Sequence, residues 1–258
     1  MRTAELAGRV AVVTGGARGL GLSMATVLAE QGARVALLDL LDSVSEAAAG
    51  LQEHSGTQCI GLRVDITDEN WVTQTLAEVA QRLGEADILV NSAGITSGTE
   101  LLETSLDVWN KLMQVNLSGT FLMAREFAKR HQARGGEHRA SIVNVSSMSA
   151  FAVNIPQTQA AYNTSKAGVS MFTKSAAIEW LPLGIRVNAI APGYFATDMT
   201  KDFVAENPQK AAHWIGKIPA GRMGQPEELG GLLTFLASEQ SSYVVGQTYI
   251  IDGGYTLV

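Results

Sequence analysis

Tyr162 and Lys166 stand four residues apart in Tyr162-Asn163-Thr164-Ser165-Lys166, a spacing that puts both side chains on one face of a helix. An ammonium beside a phenol stabilises the phenolate, so a tyrosine that ordinarily ionises near about pH 10 can exchange protons closer to neutrality. Such a pair suits general acid/base work at an alcohol or carbonyl oxygen. Taken alone, it equally fits two unrelated residues on a solvated helix. Its meaning depends on what else the chain places nearby.

A second chemical signal is Thr14-Gly15-Gly16-Ala17-Arg18-Gly19-Leu20-Gly21, which follows an apolar run and opens a helical pattern. Glycines at Gly15, Gly19 and Gly21 permit a tight turn and close approach of a pyrophosphate, whose charge meets backbone N–H groups at a helix N-terminus. Asp39 ends the next apolar run, about 20 residues further on, where a carboxylate can accept hydrogen bonds from ribose hydroxyls and would repel a 2′-phosphate. Leu40-Leu41-Asp42 adds no arginine there. NAD is therefore expected over NADP, with Arg18 as the counter-argument, because a basic residue beside the second glycine can face a phosphate.

These residues need a scaffold. Runs at Arg9–Thr14, Arg34–Asp39, Cys59–Val64, Asp87–Asn91, Ser141–Ser146, Ile185–Ala191 and Thr248–Ile251 read as strands. Helical periodicity marks Leu20–Gln31, Glu69–Leu83, Leu106–Arg130 and Ala160–Trp180 between them. Repeated β-α-β order implies an α/β fold: a single-domain, Rossmann-like, doubly wound parallel sheet of about seven strands with helices on both faces. No linker or repeat divides residues 1–258, which read as one dinucleotide-binding catalytic domain. Gln132–Arg139 reads as an exposed loop, and the Pro-interrupted stretch 196–219 as a substrate lid.

Composition narrows the function classes. A formal charge of −6 with no lysine/arginine stripe excludes a nucleic-acid partner. No stretch reaches the roughly 18 unbroken apolar residues of a membrane span, and Met1–Gly8 lacks the apolar core of a signal peptide, so a cytoplasmic location is expected. The lone Cys59 reads as a buried thiol. His54, His131, His138 and His213 lack ligand spacing, so no metal site is expected. With 46% hydrophobic and only 17% charged residues, the chain has apolar surface to spend on a large core or on oligomer contacts.

In these motifs and their order the sequence resembles the short-chain dehydrogenase/reductase family along essentially its whole length. The resemblance rests on Thr14–Gly21, Asp65, Asn91-Ser92-Ala93-Gly94, Asn116 in Val115-Asn116-Leu117-Ser118-Gly119, Ser147, Tyr162/Lys166 and Pro192-Gly193. It implies that Tyr162 is the general acid/base, Ser147 orients the reacting oxygen, Lys166 binds the nicotinamide ribose, and Asn116 kinks its helix and serves a proton relay. It further implies a cofactor site of Gly15, Arg18, Gly19, Leu20, Gly21, Asp39, Asp65, Ile66, Asn91, Ala93, Gly94, Tyr162, Lys166, Pro192, Gly193, Phe195 and Thr197. A homotetramer built on the Leu106–Arg130 and Ala160–Trp180 helices and the C-terminal segment is implied as well. Ser149 is the runner-up for the catalytic serine, and Ser146 reads as structural. Asn91-Ser92 departs from the family's usual pair of asparagines.

Ser147-Met148-Ser149-Ala150, Asn154-Ile155-Pro156-Gln157 and Asp252-Gly253-Gly254-Tyr255-Thr256 resemble the polyol (galactitol, arabinitol) dehydrogenase and sorbose reductase branch. The expected reaction moves a hydride between a secondary alcohol (a polyol, sugar alcohol or diol) and the nicotinamide. Ser149, Asn154 and Gln159 are candidate polar contacts for substrate hydroxyls, and Tyr194 and Trp214 a candidate apolar wall. The alternatives are a reductase of 3-oxoacyl thioesters or steroid-type ketones, and an idle NAD-binding sensor or scaffold.

Overall fold

In the computed structural model, residues 5–135, 138–197, 200 and 208–258 are described. Seven strands form one sheet: β1 (Val10–Thr14), β2 (Arg34–Asp39), β3 (Cys59–Arg63), β4 (Ile88–Asn91), β5 (Ala140–Val145), β6 (Ile185–Pro192) and β7 (Thr248–Ile251). Their spatial order is β3-β2-β1-β4-β5-β6-β7, and every pairing is parallel. The chain builds outward from β1 to β3, then returns to lay β4 on the other side of β1. That reversal leaves a crevice at the carboxyl ends of β1 and β4, where doubly wound sheets bind ligands.

The central strands are apolar on both faces because each face is covered. Ala11, Val13, Val35 and Leu37 pack under α1 (Gly19–Glu30) and α2 (Val44–Ser55). Val10, Val12, Ala36 and Leu38 pack under α3 (Glu69–Leu83). The period-two alternation along β1 and β2 thus feeds two cores rather than one core and solvent.

The sequence pattern Leu106–Arg130 suggests one helix, but the structure divides it into α4 (Leu106–Met113), a π-helical turn (Gln114–Gly119) and α5 (Thr120–Arg134). The cause sits in that turn. The Asn116 side chain accepts from Ile95 N (2.8 Å) and donates to Ile95 O (2.9 Å). A residue pulled toward the β4 loop in this way accompanies a locally widened helix. At its other end α5 runs on to Arg134, whose guanidinium bonds Asp87 (2.9 Å), so part of the expected Gln132–Arg139 loop is helix.

After β5 comes the long α6 (Ala160–Trp180). Of the expected lid at 196–219, residues 198, 199 and 201–207 lie outside the described residues. The described part contains α7 (Pro208–Gly216), and α8 (Gly230–Ala237) follows it.

Candidate active site

The crevice is built from glycines first. Gly15 and Gly19 adopt φ of +66° and +60°, where side chains strain the backbone. A Cβ on Gly15 would stand 2.8 Å from Ala93 Cα, so only glycine lets the β1 turn close against the β4 turn. Thr14 Oγ1 ties those turns together by accepting from Ser92 N and Ala93 N (3.1 Å each). Beyond Gly19, α1 starts with no side-chain cap and no acidic residue in its first turn. Its first N–H groups are therefore left for an anionic group, and a dinucleotide pyrophosphate fits this cradle.

At the far end of β2, Asp39 is held in place. Its Oδ2 accepts from Ala17 N (3.0 Å) and its Oδ1 from Leu41 N (3.1 Å). Arg63 is in register with Asp39 across the β2–β3 pair, a neighbour that linear reading does not reveal. Its guanidinium turns to Asp42 (3.3 Å) and to Leu40 O (3.0 Å). Arg18 is exposed.

Several other expected cofactor residues direct their side chains to partners within the chain. Asn91 is buried and donates its amide to Asn144 Oδ1 (2.9 Å) across the sheet. The Asp65 carboxylate folds back on Thr67 N and Oγ1 (2.9 and 2.7 Å). Ile66 packs where a Cβ on Gly119 would fall, Leu20 lies against the α1-side core, and buried Phe195 fills the space beside Gly224. Pro192 is buried, and Gly193 lies so close to Asp252 that a Cβ would meet it at 2.7 Å. Thr197 keeps its hydroxyl within 3.0 Å of Thr200 Oγ1.

Ser147, Tyr162, Lys166 and Asn116 converge from β5, α6 and the π-helical turn. The Ser147 hydroxyl lies near enough to the Tyr162 phenol to favour its ionised form, and it accepts from Ser149 N (3.1 Å). Buried Lys166 donates to Val145 O (2.8 Å), with its ammonium 5.8 Å from the Tyr162 ring centre. Desolvation lowers Lys166 to about 8. Burial pushes the Tyr162 phenol up, and Ser147 pulls it part of the way back. This differs from the sequence expectation of a depressed phenol, because in the chain alone desolvation is the largest influence on it and exceeds the pull of Ser147.

Asn116 also donates to Ser165 Oγ (3.0 Å), which fastens the turn to α6. A Cβ on Gly94 would stand 3.4 Å from Lys166 Nζ and 3.2 Å from Asn116 Oδ1, so glycine keeps the approach to the ammonium clear. Ser146 faces the other way and donates to Lys166 O (2.9 Å), within 2.8 Å of Ser170 Oγ, in a packing role.

Beside this centre lies a second polar group. Ser149 Oγ donates to Asn154 Oδ1 (2.7 Å), and Gln159 Nε2 reaches both Ser149 Oγ and Asn154 Oδ1 (3.2 Å each). Asn154 Nδ2 donates to the Tyr194 hydroxyl (3.2 Å), which donates to Gln157 Oε1 (2.5 Å). Trp214 of α7 stacks on Tyr194 at 4.8 Å, and Tyr255 meets it edge-on at 5.5 Å. Gln157 and Tyr255 were not among the expected site residues, since nothing in their local sequence points to Tyr194.

The family model described as "Enoyl-(Acyl carrier protein) reductase" matches residues 15–256, and the chain belongs to the short-chain dehydrogenase/reductase family of nicotinamide-using oxidoreductases. The galactitol 2-dehydrogenase (L-tagatose-forming) of Cereibacter sphaeroides is 40% identical over 253 residues, 98% of this chain and 97% of that protein. The 3-oxoacyl-[acyl-carrier-protein] reductase FabG of Vibrio harveyi is 37% identical, covering 98% of this chain and 100% of that one. The crystal structure of a gluconate 5-dehydrogenase from Burkholderia cenocepacia J2315 in complex with NADP and tartrate superposes with a TM-score of 0.91. It is 35% identical and covers 99% of this chain and 98% of that one.

Proposed function

We propose that the chain is an NAD-dependent dehydrogenase of secondary alcohols that carry further hydroxyl groups, such as polyols, sugar alcohols or diols. One observation carries this reading: the polar Ser149–Asn154–Gln159 cluster adjoins Ser147, to which Ser149 N donates. A site for long apolar acyl chains would bury such a cluster at a cost, whereas a polyol brings hydroxyls to pair with it.

When bound, the nicotinamide accepts or returns the hydride. The chain's own residues handle the oxygen and its proton. Ser147 orients the carbinol hydroxyl, Tyr162 Oη takes its proton in oxidation and gives it back in reduction, and the Lys166 ammonium stabilises the phenolate. Lys166 also holds the ribose at the space left by Gly94, while Asn116 fixes the π-helical turn behind it. Asp39, already pinned by two backbone N–H groups, supports NAD over NADP. Arg63 supports the same choice, because its charge is paired with Asp42.

Residues 1–258 act as one catalytic domain, with α7 as part of the lid. The similarity to the Vibrio harveyi reductase favours a second reading, reduction of 3-oxoacyl thioesters with NADPH. Initial rates with NAD and NADP across polyols, vicinal diols, plain secondary alcohols and 3-hydroxyacyl thioesters separate the two. Polyol or diol turnover with NAD is expected; activity with acyl thioesters and NADP alone overturns the proposal. Tyr162→Phe should lower kcat by about a thousandfold or more while NAD still binds by fluorescence titration.

A further inference from the structure

The segment that leaves β2, Asp39-Leu40-Leu41-Asp42-Ser43, carries no cation. The neighbouring strand brings one. Arg63, the last residue of β3, pairs in register with Asp39. Strands in a sheet stand about 4.8 Å apart, and paired residues of parallel strands turn their side chains to the same face, so the guanidinium and the Asp39 carboxylate rise side by side. Gly61, two residues earlier on that face, lies under the start of α2, where a Cβ would stand 2.3 Å from Val44 O. This close approach brings Asp42, two residues before Val44, down beside Arg63.

Arg63 Nε donates to Leu40 O (3.0 Å), and Nη1 lies 3.3 Å from Asp42 Oδ1. The side chains of Arg63 and Asp42 are 54% and 88% exposed, and an ion pair so open to water is weakly held. A phosphate monoester carries more charge than one carboxylate and accepts the guanidinium fork through two oxygens at once. Arg63 is therefore suited to a 2′-phosphate, and its tether is one that such a group can displace.

We propose that Asp42 is a specificity-determining residue that acts through Arg63: by drawing the guanidinium toward α2 it withholds from a 2′-phosphate the cation that β3 supplies. Discrimination against NADP is then shared. Asp39 repels the phosphate, and Asp42 keeps its partner from it. The inference rests on the reading of Asp39 as the adenosine-ribose residue of an NAD enzyme and adds a second residue to that choice.

Cofactor binding tests this with no substrate needed, by fluorescence titration of NADH and NADPH against the full chain and its variants. Asp42→Asn should tighten NADPH roughly fivefold, the scale of an exposed ion pair, with NADH changed less than twofold. Adding Arg63→Met to Asp42→Asn should abolish that gain, because the two substitutions act on one contact. Asp42→Glu, which keeps the charge, should bind both cofactors as the parent does. Positions 42 and 63 are open to solvent, so these variants should keep the parent's Tm.

A gain that survives in the Asp42→Asn/Arg63→Met chain reports the loss of a nearby negative charge rather than the release of Arg63, and overturns the proposal. Unmoved NADPH affinity in Asp42→Asn overturns it too. If Asp39 holds NADPH binding below detection throughout, the same set is built on Asp39→Asn, and the same two results decide. A parent chain that binds NADPH as tightly as NADH overturns both the NAD reading and this restraint; a parent that prefers NADH, with an insensitive Asp42→Asn, overturns only the role of Asp42.

Discussion

Lys166 illustrates at the residue scale how a reactive group is held against its own preference. Its ammonium is buried and lowered to about 8, below the ordinary lysine range. Between that value and the lysine's unfolded value, the unfolded chain binds the proton more tightly, so the native state gains stability as pH rises through this window. Below pH 8 both states are charged and the native state bears the full desolvation cost. Lys166→Met should therefore raise the Tm of the cofactor-free chain at pH 7, with the advantage fading toward pH 10, and should abolish turnover. A lower Tm at pH 7 would mean that the bond to Val145 O outweighs desolvation. The motif Tyr162-x-x-x-Lys166 was legible in the sequence because it is local. The upward push on the Tyr162 phenol was not, since it depends on how β5, α6 and the β4 turn enclose it.

At the scale of elements, the first β-α unit depends on close backbone approach. A Cβ on Gly21 would sit 2.0 Å from Gly15 O, so the opening of α1 cannot pack on the glycine turn with any larger residue. Gly21→Ala should destabilise the chain by about 3 kcal/mol, read as a lower urea midpoint with unchanged slope. It should also weaken NAD binding, since the α1 N–H groups would move. Unaltered affinity in a destabilised variant would separate packing from the cofactor cradle. The π-helical turn at Gln114–Gly119 makes the opposite point. Hydrophobic spacing along 106–130 fits an unbroken helix, and only the bonds from Asn116 to Ile95, distant in sequence, widen it.

At the scale of the whole molecule, several large apolar side chains are exposed among the described residues. Leu106, Phe121, Met171, Ile178 and Leu181 lie along α4, α5, α6 and the turn that follows, and Tyr243, Ile250, Leu257 and Val258 around β7 and the C-terminal end. A tetramer with dihedral symmetry buries two or more such faces of each subunit, and the homotetramer that the family resemblance implies would cover these side chains. Light scattering behind size-exclusion chromatography should give a mass about four times the 27.3 kDa chain. Ile178→Glu, placing a charge among the side chains along α4, α5 and α6, should yield dimers. A monomeric parent chain would remove the assembly from this account.

The sequence by itself determined the elements that depend on short-range pattern: the parallel strands, the glycine turn, the acid at the end of β2 and the Tyr162/Lys166 pair. Apolar runs, helical period and positive-φ glycines act within a few residues, so one dimension suffices to read them. Only the tertiary structure decided which of three nearby serines lies by the Tyr162 phenol, that Asn91 spends its amide on Asn144, and that Arg63 lies beside Asp39. It likewise revealed that Gln157, Asn154, Ser149 and Gln159 are wired through Tyr194 to Trp214 and Tyr255. Those relations join residues from separate crossovers of the sheet, and a hydrogen bond's direction is fixed by the partner it meets in space, which no local spacing encodes.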